Sequence, residues 1–469
     1  MKRRDFFKGG SLALLGSAVL SPADTIAAIT ASDKKRKGIA KNIIFMVSDG
    51  MSAGTLNMAS LLLQRKEGRQ SHWLSLYEEN KVSRALMDTA SASSLVTDSA
   101  AASSSWGGGK RVLNGSLNVN ADGSENKPIW QKFKEAGKSA GVVTTVMATH
   151  ATPAGFCITS KKRSDEPGIA LKYLSLGLDV VMGGGLENFS ADLRKDKTDV
   201  FKKYSDKNYA VLKTRNQLLN HGENGQPVIG IFSQDALPYS LDRTNTSELL
   251  TQVPTLAEMT KKAIGHLKNN KKGFVLQVEA GKVDWAAHAN DIGGLLYDQI
   301  AFDEAVAEAV RFAEQDKETL VIITTDHGNA NPGLFYGPDA NKNFERLHNF
   351  KFTNNWILSG VDKNTSTSAL IEKVEAAQGY AIKRDEAASI LKHYETLDES
   401  GLYNPRKLPY RQLALVQSGY TSVGWGSMDH SGDYVELAML GPGSELLKPF
   451  VKNIELHNLM LEAAGVITT

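Results

Sequence analysis

The chain is poor in cysteine, in long apolar runs and in net charge. Its single cysteine, Cys157, excludes an internal disulfide, so an apolar core or bound metals must hold the fold. A lone Cys is more often a small buried apolar residue than a zinc ligand. The apolar run from Leu12 to Leu20 is too short to cross a bilayer. Lys and Arg number 54 against 52 Asp and Glu, a formal net charge of +2. Lys2, Arg3, Arg4 and Lys8 against Asp5 and Asp24 account for all of that excess within residues 1–30. The remainder is neutral, which argues against a nucleic-acid binder. No internal repeat is visible. With 469 residues, 41% of them hydrophobic, there is enough chain for one large α/β domain with insertions or for two to three ordinary domains.

Residues 1–30 read as a separate export segment. A basic start, the apolar run to Leu20 and the small residues Ala27 to Ala31 are the parts of a cleavable leader. Arg3 and Arg4, followed by Phe6, Phe7 and Lys8, resemble a twin-arginine signal. No Cys follows the run, so a lipoprotein anchor is not expected. These features predict a periplasmic or secreted protein with no stable membrane anchor.

From about residue 42 onward, apolar runs alternate with helical patterns. "NIIFMVSDG", "AGVVTTVMATH", "LDVVMGGG", "GFVLQVEAG", "TLVIITTDHG" and "YVELAMLGPG" read as buried strands. "TLAEMTKKAIGHLKNN", "YDQIAFDEAVAEAVRFAEQ" and "FVKNIELHNLMLEAAG" read as helices. The fold class is therefore α/β, doubly wound, with a mostly parallel central sheet and helices on both faces. Two polar segments, about 186–253 and 331–424, break the alternation and are expected to be insertions capping the site within one domain over 38–469.

Four of these strands end in metal-capable residues: Asp49, His150, Glu279 and the pair Asp326–His327. Ligands of open α/β sheets bind at the carboxyl ends of the strands, so four such endings point to one site. Asp284 and His288 are four apart and share a helix face. Alone they are an ordinary surface pair; beside Glu279 and small neighbours they become candidate ligands. Asp326 and His327 reach one ion only if the strand turns there, and Gly328 permits a turn. His430 lies in "SMDHSGDY". Arg163, eleven residues after Thr152, is suited to holding an oxyanion through its planar fork. "TDSAAASSSW" places Ser99 at a candidate helix start among residues with almost no side chain.

Together these motifs resemble the alkaline phosphatase family over nearly all of residues 42–463. The carriers are "VSDGM", "TDSAAA", "HATPAG" with Arg163, "VEAGKVDWAAH", "TTDHG" and "DHSGD". The resemblance implies hydrolysis of small-molecule phosphate monoesters, with Ser99 as nucleophile and Arg163 on the phosphate oxygens. It implies one zinc on Asp284, His288 and His430, and a second on Asp49, Asp326 and His327. It further implies a magnesium on Asp49, Thr152 and Glu279. A helix start at Ser99 favours anions, and small side chains admit the ions and the phosphate. The oligomeric state stays open, a homodimer included.

Two positions depart from the archetypal bacterial members, which carry an acid at His150 and a Lys at Trp285. In the family these positions tune magnesium affinity and phosphate binding. The rival readings are a phosphodiesterase of the same superfamily and a non-catalytic exported binder of metal or phosphate. A sulfatase is not expected, because Ala100 and Ala101 follow Ser99 where its x-Pro-x-Arg motif would stand. A cofactor-independent phosphoglycerate mutase is a further relative, but an export leader argues against a glycolytic role.

Overall fold

A computed structural model describes residues 40–397 and 407–466. The expected leader at residues 1–30 lies outside the described residues. Among those described, no helix is long and apolar enough to cross a membrane.

The core is a ten-stranded sheet. Its strands are β1 (Asn42–Val47), β2 (Ser83–Asp88), β3 (Ser139–Met147), β4 (Val180–Gly184) and β5 (Ala210–Leu212). They continue with β6 (Val228–Ile231), β7 (Phe274–Glu279), β8 (Thr319–Thr324), β13 (Val435–Leu440) and β14 (Phe450–Lys452). Two short ladders pair β9 (Gly328–Asn329) with β12 (His430–Ser431) and β10 (Gly333–Leu334) with β11 (Val423–Gly424). The order in the large sheet is β14-β2-β13-β8-β1-β7-β3-β4-β6-β5. Only β13 runs against its neighbours, β8 and β2.

All six side chains of β1 are buried, because both faces of the strand are covered. Ile44 and Met46 enter one apolar core while Ile43, Phe45 and Val47 enter the other, as the two-residue period of a strand requires. Each such burial is worth about 1.5–3 kcal/mol. Helices Leu256–Leu267 and Ile292–Asp316 cover the first face; helices Ser99–Gly108 and Glu455–Ala463 cover the second. Cys157 is free and buried in the second core.

All six strands read from the sequence are present. Four were not read. β2 and β14 alternate exposed and buried residues, and β5 and β6 have only three and four residues. The "FVK" at the head of the last helical pattern is strand β14, and the helix begins at Glu455.

Segment 186–253 contributes β5 and β6 to the sheet edge, so part of it extends the sheet. Segment 331–424 includes helices Thr367–Gln378, Arg384–Leu391 and Tyr410–Thr421. These pack around a small core of their own that includes Leu370, Val374, Ile390 and Leu413.

Candidate metal centre

The chain order of the strands brings the site together. β8, β1, β7 and β3 are consecutive in the sheet and parallel, so the segments leaving them share one edge. Asp49 follows β1, His150 and Thr152 follow β3, Glu279 ends β7, and Asp326 and His327 follow β8. Because β13 is antiparallel to β8, the segment entering it arrives at the same edge. It carries His430, held there by the β9–β12 ladder. The strand therefore does turn at Asp326–His327, and both side chains lie in one buried cluster.

Ser99 opens a helix, Ser99–Gly108, whose N-cap is Asp98. Asp98 was not singled out from the sequence, although an Asp before a helix start is an N-cap signature. Its Oδ1 accepts from Ala101 N at 2.9 Å. Its Oδ2 accepts from Gly115 N at 2.9 Å and from Arg163 Nη1 at 3.0 Å. One carboxylate thus fixes both the Ser99 helix and the guanidinium. Arg163 Nη2 lies 3.1 Å from His150 Nε2. Burial, and then the Arg163 charge, lowers the His150 pKa to about 3, so the ring is neutral and accepts. Ser103 Oγ donates to Thr152 O, which ties the Ser99 helix to the segment carrying Thr152.

Ser99 Oγ lies 3.4 Å from His327 Nε2. The same nitrogen is 3.2 Å from Asp326 Oδ2 and 3.6 Å from Asp49 Oδ1. Thr152 Oγ1 donates to Asp49 Oδ2 at 3.2 Å. Thr144, another residue that the sequence did not flag, donates to Glu279 Oε2. Asp284 Oδ1 lies 3.5 Å from His430 Nε2, and Asp284 Oδ2 3.4 Å from His288 Nε2. Asn329 Nδ2 donates to Asp284 Oδ1 at 2.7 Å. Gly50 is required here. Its φ is +68°, its N–H donates to Asp326 Oδ1, and a Cβ would sit 2.5 Å from Asp284 Oδ1.

This concentration of buried carboxylates is costly without cations. Burial first, then Asp326 and other acids, holds Asp49 well above the usual carboxyl range. Burial raises Glu279 to about 7 and Asp326 to about 6. Asp284 is lowered to about 2 by His288 and His430, against a desolvation that pushes it up. Asp49 Oδ1, Glu279 Oε1 and Asp326 Oδ2 are buried with no hydrogen-bond partner, an arrangement that native structures rarely leave uncompensated. Three groups bring ligand atoms within 4.8 Å of one another: Asp284–His327–His430, Asp49–Asp326–His327 and Asp49–His150–Glu279. Mixed imidazole and carboxylate donors suit zinc, and oxygen donors suit magnesium. The residues present fit divalent cations.

All twelve residues expected from the sequence fall in or beside this cluster. Trp285 borders it, with its ring 6.3 Å from that of His150, and Lys282 Nζ sits 4.7 Å from the Trp285 ring.

Residues 40–466 match the family model described as alkaline phosphatase. The chain belongs to the alkaline phosphatase family. Alkaline phosphatase 4 of Bacillus subtilis is 28% identical, over 96% of this chain and 95% of the relative. Alkaline phosphatase 3 of the same organism is 29% identical, over 96% of each. The crystal structure of Thermus thermophilus alkaline phosphatase superposes with a TM-score of 0.84 at 30% identity, over 96% of this chain and 97% of that one. The protein is therefore a phosphatase of this family, with a mostly parallel sheet that carries candidate divalent-cation ligands at one edge.

Proposed function

We propose that this phosphatase hydrolyses small-molecule phosphate monoesters through a phosphoserine on Ser99. Asp284, His288 and His430 would hold one zinc, and Asp49, Asp326 and His327 a second. Asp49, Thr152 and Glu279 would hold a magnesium, with His150 beside them. Such ions supply positive charge that lowers the pKa of a hydroxyl and stabilises a departing oxygen.

The chain's own groups do the positioning. Arg163, fixed by Asp98 and His150, offers its fork to two non-bridging phosphate oxygens. The first turn of the Ser99 helix turns its free N–H groups toward the same anion. Ser99 Oγ gives up its proton and forms a bond to phosphorus as the ester oxygen leaves and takes up a proton as the alcohol. A water then attacks phosphorus, the P–Oγ bond breaks, one water proton returns to Ser99 Oγ, and phosphate is released. The observation that carries this reading is the buried Ser99 Oγ beside His327 Nε2 at 3.4 Å, with Asp98 tying the helix to Arg163.

The leader-like residues 1–30 support export, by the twin-arginine route, to the periplasm or medium. The deciding experiment quenches enzyme and labelled phosphate monoester in acid and maps the label. Label on Ser99 is expected, and turnover of monoesters should exceed that of diesters and sulfate esters. Turnover with no label on Ser99 would overturn the nucleophile assignment.

A further inference from the structure

A cavity of about 220 Å³ lies away from the cation ligands. Leu237, Pro238, Val253, Leu256 and Tyr297 give it apolar walls. It backs onto the end of β3. Thr144 turns its hydroxyl to Glu279, while the next residue, Thr145, lines the cavity. Thr145 Oγ1 accepts from Lys282 N at 3.1 Å, the first residue of the helix that carries Asp284 and His288.

Three charged side chains line the cavity, and two of them are partnered. Asp298 accepts from Ser240 N and Oγ at 3.0 and 3.2 Å. Glu304, on the rim, lies 3.5 Å from Arg69 Nη2. Arg243 differs. It is only 8% exposed, and its Nε donates to Val253 O at 2.7 Å. Among the described residues its two Nη groups have no hydrogen-bond or ion-pair partner. The acid nearest in charge, Glu258, is gripped on both oxygens by Arg215. A guanidinium stays charged in proteins; burial works against that charge, and the acid that offsets it, Glu258, is shared with Arg215. Apolar walls around one unpaired planar cation are the layout of an orienting polar anchor in a small-molecule pocket.

We propose that this cavity binds a small organic carboxylate, its apolar body against Leu237, Val253 and Leu256 and its carboxylate on the Nη groups of Arg243. Inorganic phosphate would pair the cation but leave the apolar walls unfilled.

The test uses the full enzyme loaded with zinc and magnesium, with excess inorganic phosphate occupying the catalytic site. Hexanoate and hexanamide are titrated by calorimetry or ligand-observed NMR. Hexanoate should bind about tenfold or more tightly than the amide, as expected of a charge-assisted bidentate contact. Arg243→Gln should erase that difference. Ala301→Leu, which fills the cavity from helix Ile292–Asp316, should weaken both ligands, with thermal melting reporting an intact fold. If the glutamine variant fails to fold, the leucine variant carries the test. Equal binding of acid and amide, or binding untouched by either variant, would each overturn the proposal.

Discussion

His288 Nε2 and His430 Nε2 face each other at 3.0 Å, while the Nδ1 of each ring meets a backbone carbonyl. His288 Nδ1 lies 2.7 Å from Met428 O, and His430 Nδ1 2.9 Å from Thr97 O. A carbonyl only accepts, so both Nδ1 atoms carry the proton. In the neutral rings, both Nε2 atoms then present lone pairs to each other, with Asp284 beside them. A cation between them resolves that repulsion, and the outer carbonyls fix the tautomer. His288→Ala and His430→Ala should each remove one zinc, and the double variant should remove the same one. Metal content by mass spectrometry checks this; loss of two ions from the double variant would show that the rings serve different sites.

Ser99 is 2% exposed, and among the described residues its hydroxyl has one side chain within hydrogen-bond reach, His327. Removing one oxygen leaves the helix cap on Asp98 and the packing of the Ser99 helix untouched. Ser99→Ala should therefore shift the melting temperature little and lower kcat by about a thousandfold or more, several kcal/mol of barrier. A variant that keeps a tenth of the wild-type rate would remove Ser99 from the nucleophile's role.

Glu279 makes the metal-free protein sensitive to alkali. Burial, and then Asp326, raises its carboxyl from 4.5 to about 7 in the folded chain. Below pH 4.5 both states hold the proton. As the pH climbs toward 7 the unfolded state has lost it and the folded state has not, so stability falls, levelling off above about 7. Glu279→Gln does not titrate there. In chelator-treated protein the wild type should lose melting temperature relative to the variant between pH 5 and 8. Parallel melting curves over that range would show that Glu279 does not carry the effect.

The site was legible to the extent that its ligands end long apolar strands. Asp49, Glu279 and Asp326 follow runs buried on both faces, and such runs need no partner to be recognised. His430 was harder. It reaches the edge only because β13 runs antiparallel, and the sequence of β13 does not record its direction. Asp98 escaped notice for another reason: its partner Arg163 stands 65 residues away, and an N-cap role alone explains an Asp at that position. Thr144 and Asn329 are polar residues whose contacts with Glu279 and Asp284 exist only once the strands are aligned. Arg243 had no signal at all, because what sets it apart is that its two Nη groups have no partner among the described residues.

The N-terminal segment offers a direct test of the export reading. Protein recovered outside the cytoplasm should begin between roughly residues 24 and 34, as mass spectrometry of the intact chain would show. Replacing Arg3 and Arg4 by Lys should stop export through the twin-arginine route. Unchanged export would assign the segment to the general secretory route.

His150 stands between two functions. Its Nε2 accepts from Arg163, while its Nδ1 is buried without a partner and the ring lies among ligand atoms of Asp49 and Glu279. A neutral imidazole adds no negative charge to that group, so a hard cation is held by fewer charges than a third carboxylate would give. Magnesium should bind weakly, and activity should rise as it is added in excess. His150→Asp should tighten magnesium and flatten that response. The same change puts a carboxylate beside Arg163, where an ion pair would compete with phosphate, so KM should rise while the metal response falls. The check is a magnesium titration of both proteins after equal zinc loading, reading bound magnesium as well as kcat and KM. Superimposable binding curves would show that His150 does not tune the site. A tightened curve with unchanged KM would confine its influence to the cation and leave Arg163 held by Asp98 alone.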